Sequence, residues 1–230
     1  MNANIQTLDY SYTAISPAQR NKVLRNTYWL LALCMLPTVL GAWLGVATGI
    51  TRALSGGFGI VFFLAGAFGF MYAINKTKEH ASGIAVLLGF TFFMGLMLSG
   101  LITHTLGFKN GPTLIMTAFA GTAGVFLAMA SVASVIKRDL EGLGKWVMVG
   151  AIVLMVGTII NVFVQSSAAM LAMSVMAIAI FSAFMLYDLK RIMDGGETNY
   201  ISATLALYLS AFNVFQNLLM LLGIFGGERD

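Results

Sequence analysis

The chain has 230 residues, of which 59% are apolar and only 10% are charged. Soluble globular domains contain about 45–50% apolar and roughly 25% charged residues, so this composition excludes an ordinary soluble domain. The charged residues stand in short groups between apolar runs, and a run of about 20 apolar residues is long enough to cross a bilayer as a helix. The composition therefore predicts an integral membrane protein.

Seven apolar segments follow one another along the chain. We predict transmembrane helices over residues 27–50, 56–75, 81–103, 113–136, 146–165, 168–187 and 200–225. Only three polar residues at 165–167 separate the fifth segment from the sixth, and we expect a tight turn there because about 40 apolar residues exceed one crossing. The predicted fold is an all-α, seven-transmembrane-helix bundle. Its parts are a cytoplasmic N-terminal tail (1–26), the transmembrane domain (27–225) and a short C-terminal tail (226–230).

The basic residues predict the orientation of these segments. Placing the N-terminus in the cytoplasm puts most of them inside, namely Arg20, Lys22, Arg25, Lys76, Lys78, Lys137, Arg138, Lys145, Lys190 and Arg191. The outside then receives Arg52, Lys109 and Arg229. This bias follows the positive-inside rule and favours a C-terminus outside, with a re-entrant last segment as the alternative. The net charge of +4 follows from the same topology, so we expect no nucleic-acid partner.

Small residues recur at helical spacing in two segments. Gly41 and Gly45 form a GxxxG pattern in the first, and Ala120, Gly124 and Ala128 repeat every four residues in the fourth. Such stripes let helix backbones approach closely in lipid, where no hydrophobic force drives helices together. We therefore predict helix contacts at both stripes, with a lined pore as the alternative.

Polar side chains share one face of the last segment, where they recur every three to four residues. They are Ser210, Asn213, Gln216 and Asn217. Polar groups inside a membrane point into the bundle, so we predict that this helix is central. Asn161 and Gln165 lie four apart in the fifth segment and are expected to hydrogen-bond across to it. Both polar contacts between helices and the lining of a hydrated cavity fit this pattern.

Asp188 is a carboxylate near the cytoplasmic end of the sixth segment. One interpretation is structural, because Arg191 lies three residues on and can form an ion pair with it along the helix. The other is functional. A carboxylate that faces the last helix can bind a cation or a proton, and partial burial favours its protonated form.

Several enzymatic chemistries are excluded by the sequence. No HExxH motif is present, and His80 and His104 fall at opposite ends of their segments, which argues against an intramembrane protease. No glycine-rich loop follows a strand pattern, so nucleotide binding is not indicated. Cys34 is the single cysteine, which excludes a disulfide framework. We expect a protein that is not an enzyme and needs no cofactor.

Two stretches carry a family resemblance: NKVLRNTYWLL at residues 21–31 and GGETNYISATLALYLSAFNVFQNLLMLLG at residues 195–223. The chain resembles the Bax inhibitor-1 family, also called the transmembrane Bax inhibitor motif family, and within it the bacterial YccA-like branch. The resemblance implies a multi-pass protein of the bacterial inner membrane whose last helix is surrounded by the other six. Ser99 and Gly100 stand where the family commonly has Gly-Pro. We therefore expect a less broken third helix.

The resemblance also implies a function for the C-terminal quarter. Family members are linked to a pH-sensitive calcium leak that is gated by paired acidic residues on the sixth and seventh helices. Asp188 of YDLKRI matches the first acid, Ser210 stands in place of the second, and Asn213 matches the asparagine one turn on. The predicted ion site is therefore Asp188, Ser210, Asn213 and Asn217, with Asp188 as a calcium ligand and Ca²⁺ or H⁺ as the transported ion.

The same resemblance implies an alternative function based on a protein partner. The YccA-like branch is similar to proteins that associate with the FtsH-type AAA+ membrane protease, as slowly degraded substrates and modulators. The polar N-terminal tail fits this role, because such a protease grips a disordered segment. Besides the lipid bilayer, an FtsH-type protease is thus the expected partner.

Overall fold

A computed structural model describes residues 16–50 and 57–228, and within these residues the chain forms seven α-helices. They are α1 Pro17–Thr48, α2 Gly57–Thr77, α3 Ser82–Leu106, α4 Gly111–Val135, α5 Glu141–Val164, α6 Ser167–Asp194 and α7 Tyr200–Gly226. Each is long and apolar enough to cross a membrane, which confirms the predicted all-α fold. Positions 1–15 of the predicted tail, and Arg52 and Arg229 of the predicted outer charges, lie outside the described residues.

Helix α1 starts well before the predicted segment at residue 27. The Ser16 hydroxyl accepts a hydrogen bond from the Gln19 N–H at 3.3 Å, and Pro17 occupies the first helical turn. Both are preferred helix-start residues, because they satisfy or remove amide donors that the helix itself leaves without acceptors. Residues 17–26 of the polar tail are therefore helical. Helix α1 also continues through Pro37 and closes at Gly49, whose φ is 65°.

A tight turn joins α5 to α6, as predicted. Gln165 takes a left-handed conformation with φ 52°, and its N–H donates to the Asn161 carbonyl at 2.8 Å. The Asn161 side chain accepts from the Ser166 N–H at 3.0 Å. The prediction that Asn161 and Gln165 reach the last helix is therefore wrong. The Asn161 side chain holds its own turn, and α5 packs on α6.

Contacts between connections define the two ends of the bundle. At one end the Asn199 amide donates to the Lys78 carbonyl at 2.8 Å, which ties the α6–α7 connection to the α2–α3 connection. At the other end the Asn110 amide donates to the Gly226 carbonyl at 2.6 Å, and the Glu228 N–H donates to the Asn110 side chain at 3.2 Å. We call the first the basic end. It carries Arg20, Lys22, Arg25, Lys76, Lys78, Lys137, Arg138, Lys145, Lys190 and Arg191.

Helix α7 has the widest set of neighbours among the described helices. It packs against α1, α2, α3, α4 and α6. The predicted central position of the last helix is thus confirmed, with five helices packed around it. Helix α5 is not one of them and lies against α6 on the outside. Helix α3 is the most buried of the described helices and runs without a break through Ser99 and Gly100. The Ser99 hydroxyl donates to the Leu96 carbonyl at 2.6 Å, so its polarity is satisfied within the helix.

The predicted GxxxG contact is confirmed between α1 and α3. At each of three glycines an added Cβ would collide with the opposite helix, so the two backbones approach to a distance that only glycine permits. An added Cβ would meet the Phe92 carbonyl at Gly41, the Ser99 side chain at Gly45 and the Thr38 carbonyl at Gly95.

The second predicted stripe behaves differently. Ala120, Gly124 and Ala128 are all exposed on the outer face of α4, and an added Cβ on Gly124 would meet nothing within 4 Å. The prediction of a helix contact within the bundle at this stripe is therefore wrong. Helix α4 packs through Leu114, Ala118 and Ala133 instead. Lipid and a neighbouring helix are equally apolar, so a stripe of small residues does not determine which of the two it faces.

Candidate functional site

Asp188 lies on the inner side of α6, in the second turn before the helix ends. It shares a helix face with Met185 and Ile192, which are both fully buried. Those two side chains belong to a cluster that also includes Val23 of α1 and Leu207 of α7. Asp188 itself is half-buried. The carboxylate therefore stands at the margin of an apolar cluster formed by α1, α4, α6 and α7.

The expected ion pair between Asp188 and Arg191 is not formed. The Arg191 guanidinium approaches Glu197 instead, with 3.7 Å between Nη2 and Oε2, and its Nε donates to the Gly196 carbonyl at 3.2 Å. Among the described residues Asp188 has no hydrogen bond or ion pair. The structural interpretation of Asp188 as the partner of Arg191 is therefore wrong for this conformation. Its carboxylate is left available to a ligand.

The polar residues of α7 form a continuous line. Ser210 is buried, with 4% of its surface exposed, whereas Asn213 and Asn217 are half-buried. The Asn213 amide donates to the Leu209 carbonyl, and the Asn217 amide donates to the Asn213 carbonyl, both at 2.8 Å. These bonds use the nitrogen of each amide group and leave the side-chain oxygens for other partners. The line therefore presents oxygen atoms, which are the ligands that hard cations prefer.

Asp188 and Ser210 lie on antiparallel helices but at different heights. Asp188 is six residues before the end of α6, and Ser210 is ten residues after the start of α7. At about 1.5 Å of rise per residue the two positions differ by about 6 Å, or one helical turn. Within residues 16–50 and 57–228, no group of three or more His, Cys, Asp or Glu side chains is placed to hold a metal ion. A cation at Asp188 would meet one carboxylate, and the oxygens of the α7 line would follow one or more helical turns further along the bundle.

Tyr208 forms a buried polar contact that the sequence interpretation missed. Its hydroxyl lies 2.9 Å from the Thr38 hydroxyl of α1 and 3.4 Å from the Thr91 carbonyl of α3. Tyr208 is almost fully buried, with 1% of its surface exposed. It therefore links three helices beside the Ser210 position. A tyrosine buried in an apolar helix needs a partner for its hydroxyl, and that requirement was the available signal.

The GGETNY sequence is explained by the geometry of the α6–α7 connection. Gly195 ends α6 with φ 83°, a conformation that favours glycine. The Glu197 carboxylate accepts the N–H groups of Thr198 and Asn199 at 3.0 and 2.9 Å. The Asn199 side chain then caps α7 by accepting the N–H groups of Ile201 and Ser202. These contacts position α7 beside α6 and engage Arg191 with Glu197 and Gly196.

Comparison with known proteins places this arrangement in a family. The family model described as "Inhibitor of apoptosis-promoting Bax1" matches residues 20–227. The chain is 35% identical to the Escherichia coli K12 protein named "Modulator of FtsH protease YccA", over 96% of this chain and 97% of that protein. It is equally similar, over the same shares, to a protein of Escherichia coli O6:H1 named "Inner membrane protein YccA".

A third relative gives the same result in another genus. A Vibrio cholerae protein described as "Uncharacterized membrane protein" is 35% identical over 90% of this chain and 91% of its own length. The family match over residues 20–227 includes the α1–α3 interface and the α6–α7 connection. The chain therefore belongs to the Bax inhibitor-1 family of membrane proteins.

Proposed function

We propose that this protein modulates an FtsH-type AAA+ protease of the bacterial inner membrane, with its N-terminus in the cytoplasm. The observation that carries the proposal is the near full-length similarity to the Escherichia coli protein named as a modulator of that protease. The match covers 96% of this chain, so it spans helices and connections. In this role the protein acts by binding and needs no catalytic residue.

The packing of α1 supports the proposal that the protein is a slowly degraded substrate of the protease. A protease that grips the N-terminal tail pulls on α1 first, because the tail leads directly into that helix. Val23 of α1 is buried against the end of α6, and Gly41 and Gly95 hold α1 against the backbone of α3. Extraction must break this interface before the rest of the chain follows. A substrate that resists extraction occupies the protease and so lowers the turnover of other substrates.

The test of this proposal removes the handle while leaving α1 intact. Deleting residues 2–15 keeps the Ser16 cap, and we expect a longer half-life in cells that contain the protease. In cells that lack the protease, wild type and deletion should have the same half-life. A matched control replaces residues 2–15 with a Gly/Ser sequence of equal length and should restore degradation. Equal half-lives of wild type and deletion in protease-containing cells would contradict the proposal.

A second candidate function is a cation leak through the Asp188 site. The specific observation that favours it is a half-buried carboxylate without a hydrogen bond or ion pair in the described part of the chain. The line of Ser210, Asn213 and Asn217 supplies further oxygen atoms on the adjacent helix. One carboxylate and several neutral oxygens suit a weakly held, mobile cation better than a tightly bound one. In this role Ca²⁺ or H⁺ is the transported ion.

The leak is tested in liposomes that contain purified protein and an ion-sensitive dye. We expect Ca²⁺ or H⁺ flux from wild type and a large decrease in the Asp188→Asn variant. Asp194→Asn is the matched control, since Asp194 is exposed on the same helix and pairs with Lys190 at 2.8 Å. Ser210→Asp restores the acidic pair of the family and should make the flux depend more steeply on pH. Equal flux from wild type and Asp188→Asn would remove Asp188 from the mechanism.

A further inference from the structure

A cavity of about 660 Å³ opens at the basic end, and Asp188 is not among its lining residues. It lies between the α4–α5 connection, the first turns of α5 and the last turns of α6. Its charged lining contains three cations and three carboxylates, which are Lys145, Lys190, Arg191, Asp139, Glu141 and Asp194. The formal charge of this lining is therefore zero, although both signs are concentrated in one small space.

Some of these charges are already engaged within the protein, and others are not. Lys190 pairs with Asp194 at 2.8 Å, and the Asp139 carboxylate accepts the Glu141 N–H at 2.9 Å. The side chains of Lys145 and Glu141 make no ion pair or hydrogen bond with any described residue. They are four residues, or about one helical turn, apart on α5. The cavity thus offers one cation and one carboxylate to a ligand, beside the positive end of the α5 dipole.

The cavity is continuous with the membrane-facing surface of α5. Met148 lines the cavity and is also exposed on the outside of the bundle. Ile152 and Met155 follow at spacings of four and three, so they extend the same exposed face toward the middle of the span. Trp146 is 77% exposed near the same height, and exposed tryptophans are typical of the level of the lipid headgroups. An apolar path therefore leads from the charged cavity into the lipid.

We propose that this cavity binds the headgroup of a zwitterionic phospholipid that carries a primary ammonium group, such as phosphatidylethanolamine. The phosphate lies near Lys145 and the start of α5, the ammonium group lies near Glu141, and an acyl chain follows Met148, Ile152 and Met155. A purely anionic headgroup would pair with Lys145 but leave the Glu141 carboxylate without a cation. A choline headgroup carries the positive charge but has no N–H donor for Glu141. A soluble phosphate would make no use of the apolar path.

The experiment measures lipid binding to the full-length protein purified in detergent. Dioleoyl lipids with ethanolamine, choline and glycerol headgroups are titrated separately, and inorganic phosphate is the soluble arm. Bound lipid is counted by native mass spectrometry, and thermal unfolding is followed in parallel. We expect the ethanolamine lipid to bind with the highest affinity and to raise the unfolding temperature most. Inorganic phosphate should have no effect.

Two variants assign the binding to the cavity. Lys145→Gln and Glu141→Gln each remove one charge that holds the headgroup, and each should weaken ethanolamine-lipid binding about tenfold. Lys137→Gln is the matched control, because Lys137 is exposed on the α4–α5 connection but does not line the cavity. All three positions are on the surface, so the lipid-free unfolding temperature should not change. Equal affinity of wild type, Lys145→Gln and Glu141→Gln would overturn the proposed site.

The lipid series separates the remaining outcomes. Equal binding of the three headgroups would mean general solvation by lipid and would overturn the ethanolamine assignment. Stabilisation by inorganic phosphate without a lipid preference would identify a soluble anion as the ligand and would overturn the lipid assignment. Because the variants leave the Asp188 site and residues 1–15 unchanged, the result does not depend on either proposed function.

Discussion

The α1–α3 and α5–α6 pairs both pack through glycines, but the glycines face different groups. Gly41 and Gly95 face main-chain carbonyls of the opposite helix. Gly144, Gly150 and Gly157 of α5 face side chains of α6, which are Tyr187, Ile180 and Met173. The glycines of α5 recur every six to seven residues, and the side chains opposite recur every seven. The first pair is therefore a backbone contact, and the second is a groove filled by side chains.

This difference predicts how much each interface tolerates change. A carbonyl within a helix cannot move away without disturbing the helix, whereas the end of a side chain can rotate. The α1–α3 interface should therefore be rigid, and the α5–α6 interface should be adaptable. The proposed lipid cavity lies beside the adaptable α5–α6 pair, since Tyr187 and Gly144 both line it.

The largest effect is expected from Gly95→Ala. The added methyl group would collide with the Thr38 carbonyl, so α1 and α3 must separate. Overpacking of this kind costs about 1–3 kcal/mol, and a backbone contact leaves little room for relaxation. The unfolding temperature in detergent should fall clearly. The control is Gly124→Ala, where the methyl group would meet nothing within 4 Å. Similar losses in both variants would mean that the close contact does not determine stability.

An intermediate effect is expected from Tyr208→Phe, which tests the polar link of the rigid interface. The change removes the hydroxyl that contacts Thr38 and Thr91 but keeps the ring. Hydrogen bonds between membrane helices contribute about 0.6 kcal/mol on average, so a small but measurable loss is expected. Tyr72→Phe is the control, because Tyr72 is exposed. A double-mutant cycle with Thr38→Val should show coupling, and simple additivity of the two losses would contradict the contact.

The smallest effect is expected from Gly144→Ala. An added Cβ would lie 2.6 Å from the far edge of the Tyr187 ring, and a small rotation of that ring relieves the contact. We expect a loss smaller than that of Tyr208→Phe, and much smaller than that of Gly95→Ala, in the same unfolding assay. The same substitution at the same kind of residue thus compares the two interfaces directly. An equal or larger loss at Gly144 would show that α5 and α6 are packed as rigidly as α1 and α3.

Several elements of the fold could be predicted because they depend on local chemistry. The apolar runs determine how many helices form, and the polar break at Gln165 determines the turn between α5 and α6. The GxxxG pattern of α1 correctly indicated a close contact. The stripe at Ala120, Gly124 and Ala128 had the same spacing and faces outward. Both stripes have the four-residue spacing of a helix contact. They differ because a neighbouring helix packs against the first stripe and not against the second.

The candidate site was predictable to a similar extent. A carboxylate and a line of polar residues stand out in an apolar sequence, so Asp188, Ser210, Asn213 and Asn217 could be selected from their positions alone. The partner of Arg191 could not be predicted from the sequence. The guanidinium reaches Glu197 because Gly195 reverses the chain in a left-handed conformation, and sequence spacing favoured Asp188 instead. The link from Tyr208 to Thr38 spans 170 positions and depends on how α1 and α7 meet.

The sequence by itself determined that the chain has seven segments able to cross a membrane and to which family it belongs. Those properties follow from the transfer of whole segments out of water, which depends on composition and length. The tertiary structure alone decided which helix faces meet, that α5 lies on the outside, and that Asp188 is left without Arg191 as a partner. In lipid the surroundings and the neighbouring helices are both apolar, so hydrophobicity does not select among faces. Close packing and hydrogen-bond geometry make that selection, and both depend on residues that are far apart in the chain.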